Sequence, residues 1–391
     1  MFIKNHLIHR LVLMVDITAQ KNHTIFNLLV FFFTFTFLSN QTCALNLKAT
    51  SYFLFDYATG KTLLAHNATQ KREVASLTKL MTAYVVLKKI KEGDITLHDR
   101  VRVSYKADAT GGSSLGLKQN ELISVENLLK GLIVRSGNDA AVALAEYISK
   151  KEDQFVIEMN QYAKQLGMKQ SRFANSNGFP SKKPQYSTAK DMGILSQALI
   201  LEFPKAYQDI FSARYYNQYQ NRNKLVYKGY ADGLKTGHTR KAGYCLVASR
   251  KENNTRFISV LLNTKTRYLR TSESKSLLSY GFKHFETTLF YEKDQKITQL
   301  PIQNGEQKRI KVGVNQSIRM TLKKGEADKA MPAFKFIDNQ VRIKAPIQKG
   351  DVVGYLYFNQ VAALENKKWP IIALETVKEG TILSWLKQLW Q

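Results

Sequence analysis

In the run Ala75-Ser76-Leu77-Thr78-Lys79-Leu80-Met81-Thr82-Ala83, a serine and a lysine stand three residues apart. The run reads as helix from near Ser76 to about Ile90, ending before Gly93. On a helix, positions i and i+3 share a face with Cβ atoms about 5–6 Å apart, so the Lys79 amine reaches the Ser76 hydroxyl. A neutral amine there accepts the hydroxyl proton and makes Ser76 a nucleophile. The helix N-terminus adds partial positive charge and free N–H groups where negative charge would develop.

Ser-x-x-Lys is a weak signal by itself, and it occurs four times, at Ser76/Lys79, Ser187/Lys190, Ser272/Lys275 and Ser384/Lys387. Any single match also describes a helix cap followed by a solvated lysine. Two other stretches carry polar side chains in useful places. Ser136-Gly137-Asn138 separates two apolar helical runs, Val125–Val134 and Ala140–Ile148. It is either an ordinary N-cap or a rigid corner that presents two polar side chains. Lys235-Thr236-Gly237 heads a series of strands, and Gly237 would let a ligand backbone lie close along a strand edge. Taken alone it is also an ordinary turn.

The elements that must hold these residues follow from periodicity. Ser51–Phe55 and Lys61–Ala65, joined by the turn-like Asp56–Gly60, read as a hairpin. Val101–Val103 is a short strand and Ala109–Ser114 a flexible loop. Helices are expected at Gln154–Leu166, Lys190–Leu201 and Thr271–Phe282, and strands at Gly243–Ser249 and Phe257–Leu262. From about Tyr291 the composition changes to short alternating strands: Ile310–Val314, Ile318–Leu322, Val341–Ile343, Val352–Phe358 and Ile371–Leu374. That stretch reads as a small all-β domain without a chemical constellation. The tail from Thr381 places Ile382, Leu383, Trp385, Leu386, Leu389 and Trp390 on one side of a helix, as suits a membrane interface. The alternative is a helix docked on the protein's own surface. Ser384 and Lys387 fall on the polar side of this tail.

The 391 residues suffice for more than one core. Ile25–Leu38 is an apolar run after Lys21, followed by Ser39-Asn40-Gln41 and a small-residue site at Thr42-Cys43-Ala44, the pattern of a cleaved signal peptide over 1–44. An uncleaved anchor, a lipidated Cys43 and a start at Met14 are the other readings. The mature chain then holds only Cys245, so it has no intramolecular disulfide and its cores must hold it. Cys245 lies in a strand-like run and reads as a small buried residue rather than a nucleophile. The formal charge of +27 favours anionic partners. An exported protein meets no nucleic acid, no nucleic-acid motif is present, and most of the charge is solvated surface.

Each of the three motifs is weak, and their ordered set is specific. Ser76-x-x-Lys79, Ser136-x-Asn138 and Lys235-Thr236-Gly237 resemble those of the penicillin-recognising serine enzymes. Asn221-Arg222-Asn223, Asp232–Thr239, Tyr186–Met192, the β-rich C-terminal part and the amphipathic end extend the likeness to the low-molecular-mass penicillin-binding proteins of the D-alanyl-D-alanine carboxypeptidase family. This resemblance implies an α/β (α+β) core, a five-stranded antiparallel sheet flanked by helices, over 45–290. It further implies a small all-β domain over 291–377 and a membrane-surface helix over 378–391. It implies that Ser76 attacks the carbonyl between two D-alanines of a peptidoglycan stem peptide, with Lys79 as base and Ser136 passing a proton to the leaving amine. Asn138 would hold the substrate amide, and Lys235, Thr236 and Arg222 its terminal carboxylate. Gly237 borders the cleft, and the backbone N–H groups of Ser76 and His238 would form the oxyanion hole. To act as base, Lys79 needs a downward shift of roughly three units, about 4 kcal/mol, toward which burial and the like charge of Lys235 both push. β-Lactams are the implied inhibitors, no metal or cofactor is implied, and the place of work is the periplasmic face of the cytoplasmic membrane. The loop Asn175–Pro180 departs from the family pattern in lacking a histidine near Asn177, and the loop Ala109–Leu117 is short.

Rivals share parts of this set. A D,D-endopeptidase or transpeptidase would use the same residues. A class A β-lactamase would need a glutamate on a loop between Asn138 and Lys235, and Glu146, Glu152, Glu158 and Glu202 are the glutamates there, none in the expected setting. A non-catalytic wall-binding protein has no use for all three motifs.

Overall fold

Ser51–Asp56 (β1) and Thr62–His66 (β2) pair antiparallel as the hairpin pattern predicts. The turn between them is closed by Asp56, whose Oδ1 accepts from the Thr59 amide at 2.7 Å and its hydroxyl at 2.9 Å, with Gly60 supplying φ +70°. This computed structural model describes residues 45–337, 343–364 and 366–381. The leader over 1–44 and the amphipathic tail beyond Thr381 lie outside the described residues.

Three further strands complete the first sheet: Gly233–Thr239 (β3), Gly243–Glu252 (β4) and Thr255–Thr264 (β5). Its order is β2-β1-β5-β4-β3 with every pair antiparallel. β3, which carries Lys235-Thr236-Gly237, is an edge strand. Helices cover the sheet: Lys79–Glu92 (α1), Val125–Val134 (α2), Asn138–Ser149 (α3), Glu152–Gln165 (α4), Ala189–Glu202 (α5) and Arg267–His284 (α6). α1 is buried from Lys79 through Leu87, an apolar surround that makes a charged lysine costly. Gly93 ends it in the left-handed region at φ +84°. The core on this side is built from α1, α2, α3 and α5 against Phe53, Phe55, Val247, Ile258 and Val260 of the sheet.

Ser76 does not lie on the same α-helix as Lys79. Ala75–Thr78 is a single 3-10 turn leading into α1, and Ala75 has φ +47°. The cause is crowding by two glycines. A Cβ on Gly178 would sit 2.0 Å from the Ala75 carbonyl oxygen, and one on Gly237 would sit 2.7 Å from that of Val74. The turn is clamped between a loop and β3, and the tighter geometry results. A left-handed non-glycine backbone costs about 1–2 kcal/mol, which the surrounding packing must hold.

Beyond α6 the described residues hold eight strands: Phe285–Tyr291 (β6), Lys296–Gln303 (β7), Arg309–Val314 (β8), Ile318–Lys323 (β9), Met331–Phe336 (β10), Ile343–Lys344 (β11), Val352–Asn359 (β12) and Trp369–Ala373 (β13). β6 pairs with β9, and the other six form a sheet in the order β10-β12-β13-β8-β7-β11. Four of the five expected strands here match β8, β9, β12 and β13, and the fifth is described only at its end, as β11. The pattern missed β6, β7 and β10. β6 follows α6 with no turn residue between them, since Phe285 both ends the helix and starts the strand. β7 and β10 contain Pro301 and Pro332, which demote a run as a strand by sequence; β10 is an edge strand, where proline is tolerated. The first sheet meets the β6–β9 pair at a polar seam. The buried Asp56 Oδ2 accepts from the Thr287 hydroxyl at 2.6 Å, and Lys61 Nζ donates to the Thr321 carbonyl at 2.9 Å. Among the described residues no helix is long and apolar enough to cross a membrane.

Candidate active site

Lys79 is the centre of the arrangement. Its side chain is fully buried, and its amine donates to Ser76 Oγ at 3.1 Å, Asn138 Oδ1 at 2.7 Å and the Asn177 carbonyl at 2.6 Å. Burial, reinforced by the positive charge of Arg222 and opposed by Asp139, pushes this amine down to about 7. Arg222 is thus a further like charge acting on it, beside the expected repulsion between the Lys79 and Lys235 amines. Lys235 is itself buried and pushed well below the ordinary lysine value, first by burial and then by Lys79, Arg222 and Arg270. The Asn177 contact is made by the backbone, so the missing histidine near that position leaves it intact.

Ser136 and Asn138 are not used as helix caps. The N-cap of α3 is Gly137, with no side-chain cap bond, and Asn138 is the first helical residue. Ser136 sits in the left-handed region at φ +69° and is 3% exposed, and it lines the same cavity as Ser76. The Asn138 amide is fixed from both ends. Its Nδ2 donates to the Gly111 carbonyl at 2.7 Å while its Oδ1 accepts from Lys79.

β3 brings in the third group. Gly237 lies so close to the Ala75–Thr78 turn that an added Cβ would be 3.3 Å from the Ser76 amide nitrogen. The His238 side chain is exposed and stacks on Tyr244 with ring centroids 3.9 Å apart. Burial, then Arg270 and Arg267, lowers its imidazole below the ordinary value, which favours the neutral ring near pH 7. The start of β3 is pinned by Asn223, whose Nδ2 donates to the Gly233 carbonyl at 3.1 Å; the Asn223 amide in turn donates to Asn221 Oδ1 at 2.8 Å. Asn221 and Asn223 are buried and leave Arg222 between them, pointing its charge at the site.

These residues border one cavity of about 640 Å³, lined by Ser76, Ser136, Thr236, Gly237, His238 and Arg222. Its walls also carry Arg135, Lys224, Lys228, Arg267 and Arg270, and no carboxylate. Lys79, Asn138 and Lys235 stand behind this lining. The arrangement can activate a hydroxyl, stabilise an oxyanion and hold a carboxylate-bearing ligand.

A D-alanyl-D-alanine carboxypeptidase family model (peptidase family S11) matches residues 38–266, and a penicillin-binding protein 5 C-terminal domain model matches 285–379. The chain belongs to the D-alanyl-D-alanine carboxypeptidase family. It is 37% identical over 357 residues to D-alanyl-D-alanine carboxypeptidase DacC of Escherichia coli (strain K12), covering 88% of each chain. Penicillin-binding protein 5 from Haemophilus influenzae superposes with a TM-score of 0.75 at 36% identity, over 85% of this chain and 98% of that one. Penicillin-binding protein D2 from Listeria monocytogenes in its ampicillin-bound form covers 61% of this chain and 98% of its own, with 30% identity and a TM-score of 0.56. The expected fold, the penicillin-binding-protein core with an all-β C-terminal part, is thus the one found.

Two arginines of the cavity belong to none of the three motifs. Arg267 and Arg270 enter the cavity from the first turn of α6, which begins at Arg267 rather than at the expected Thr271. Their i, i+3 spacing was legible, but the late helix boundary hid it. The buried Arg270 is pushed down to about 10 by its burial. The glutamates a β-lactamase would need are engaged elsewhere. Glu146 accepts from Ser104, Glu152 from Ser176, Glu158 from Ser149 and Glu202 from Tyr84. Of the other Ser-x-x-Lys pairs, Ser187 bonds Ser171 and Ser272 back-bonds to Tyr268 within its helix, while Ser384/Lys387 lies outside the described residues. Cys245 is buried and its thiol is pushed up to about 11, which makes it inert as a nucleophile.

Proposed function

We propose that this D-alanyl-D-alanine carboxypeptidase removes the terminal D-alanine of peptidoglycan stem pentapeptides through an acyl-enzyme on Ser76. The neutral Lys79 amine takes the Ser76 proton as Oγ attacks the penultimate D-alanine carbonyl. The backbone N–H groups of Ser76 and His238 hold the oxyanion. Ser136 passes a proton to the leaving amine as the C–N bond breaks, and water then releases the shortened peptide. Asn138 holds the substrate amide, while Lys235, Thr236 and Arg222 take its terminal carboxylate. β-Lactams acylate the same serine. The observation that carries this reading is a fully buried lysine, lowered to about 7, at 3.1 Å from Ser76 Oγ behind a cavity whose wall bears cations and no carboxylate.

We assign the chemistry to residues 45–290, where the described Ser76, Lys79, Ser136 and Lys235 stand. Export over 1–44 and attachment by 378–391 to the anionic periplasmic face of the cytoplasmic membrane are supported by the apolar run at Ile25–Leu38 and the two-sided tail. Removing Thr381–Gln391 leaves activity on a soluble peptide and frees the protein from anionic vesicles; persistent sedimentation contradicts the tail's role. The direct test is mass analysis of products from a stem pentapeptide and from a cross-linked dimer. Loss of one alanine from the pentapeptide alone supports the carboxypeptidase. Cleavage of the dimer alone reassigns it as an endopeptidase.

A further inference from the structure

Asp139 is fully buried at the second position of α3, and it belongs to none of the motif positions given a role above. Its carboxylate accepts from four consecutive residues of one loop: Ser114 Oγ at 2.6 Å, Leu115 N at 2.8 Å, Gly116 N at 3.0 Å and Leu117 N at 3.3 Å. That loop has no helical or strand ladder of its own, so these bonds are what satisfies its backbone. Its near end grips Asn138. The Ser113 carbonyl accepts from Asn138 N at 2.6 Å, and the Gly111 carbonyl from Asn138 Nδ2 at 2.7 Å. Asn138 Oδ1 in turn meets the Lys79 amine at 2.7 Å. The far end packs on α2, where a Cβ on Gly131 would lie 2.2 Å from Leu115 Cδ1.

We propose that Asp139 is a positioning residue for the acyl-transfer centre: its carboxylate fixes residues 114–117, and through them the adjoining stretch 111–113, whose Gly111 and Ser113 carbonyls hold Asn138 against the Lys79 amine. The proposal rests on the reading of Ser76 and Lys79 given above. Asp139 touches neither substrate nor Ser76, so it acts on rate more than on binding. It also brings a negative charge to a centre otherwise surrounded by cations. The charged groups around the Lys79 amine are Arg222, Lys235 of β3 and Asp139 of α3, and Asp139 alone among these three favours the protonated amine.

Asp139→Asn keeps the volume but replaces one acceptor oxygen by an amino group facing N–H donors. In the full chain, with active sites counted by penicillin titration, kcat for D-alanine release per titrated site falls at least tenfold, with KM within threefold. The acid limb of the pH–rate profile moves to lower pH, because the charge that raised the Lys79 amine is gone. Ser114→Ala removes one of the loop's bonds and lowers kcat less, in the same direction, with the limb unmoved. A purely structural Asp139 instead gives fewer titratable sites, each with wild-type kcat and an unmoved acid limb; that result overturns the proposal. If Ser76→Ala retained D-alanine release, the nucleophile assignment would fail, and that outcome is separate from any effect at Asp139.

Discussion

The part of this molecule around the five-stranded sheet and the strands beyond α6 bury different things. Around the first, Lys79, Asp139, Ser136, Asn138, Lys235 and Thr236 are all buried polar or charged groups, and each is turned toward one cavity or its support. Beyond α6, the described buried residues are apolar except Thr287 of β6 and Thr321 of β9, and both of those face the seam with the first sheet. A buried polar group is expensive unless partnered. Concentrating six of them in one place is tolerable where loop backbone and neighbouring side chains supply the partners, as the carbonyls of Gly111, Ser113 and Asn177 and the amides of 115–117 do here. The C-terminal strands carry no such load and behave as an ordinary packed core. The comparison separates residues kept for reaction from residues kept for cohesion, and it can be broken from either side.

The largest effect is expected at the nucleophile. Ser76→Ala abolishes both D-alanine release and covalent labelling by penicillin, while the thermal unfolding midpoint stays close to that of the native chain. Lys79→Ala lowers kcat by about 10²–10⁴-fold, the range for loss of a general base. On the proposed mechanism the same lysine sets the acid limb in the native protein. With its amine titrating at about 7, the base is protonated below that pH, so kcat falls about tenfold per unit there and levels off above it. A limb centred near 10 would contradict the burial argument. Gly178→Ala drives a methyl into the Ala75 carbonyl from a backbone at φ +75°. It destabilises the chain by about 2–4 kcal/mol and slows penicillin acylation, which stopped-flow measures alongside calorimetry. Leu356→Ala, fully buried in the second sheet, costs about 2–5 kcal/mol of that region's stability. D-alanine release from a soluble peptide is unchanged at temperatures where the chain stays folded. Thr287→Val is the mildest of these. It leaves Asp56 Oδ2 without its 2.6 Å donor and costs about 1–3 kcal/mol, seen as a modest fall in the unfolding midpoint with activity retained.

The same contrast explains what could be read from sequence. The candidate site residues were legible because chemistry constrains residue types at fixed spacings: a serine and a lysine three apart, and a lysine two positions before a glycine in one strand. Helices α1 and α2 were legible because their apolar faces repeat at helical spacing and α1 stops at Gly93. The tight turn at Ala75–Thr78 was not legible, because Gly178 and Gly237 impose it from 103 and 162 positions along the chain. Asp139 was hidden for a related reason: it looks like one more polar residue at a helix start, and only the folded loop at 114–117 gives it four partners. Beyond α6 the misses were β6, which follows a helix without a turn residue, and the proline-bearing strands β7 and β10.

The most direct measurement is the location of the covalent adduct formed with penicillin. The wild-type chain is labelled, digested at lysine and arginine, and the peptides are weighed. A penicilloyl mass on the peptide Glu73–Lys79, removed by Ser76→Ala, is the predicted result. An adduct on the peptide containing Ser136 or Cys245, or none at all, would contradict the placement of the reaction at Ser76.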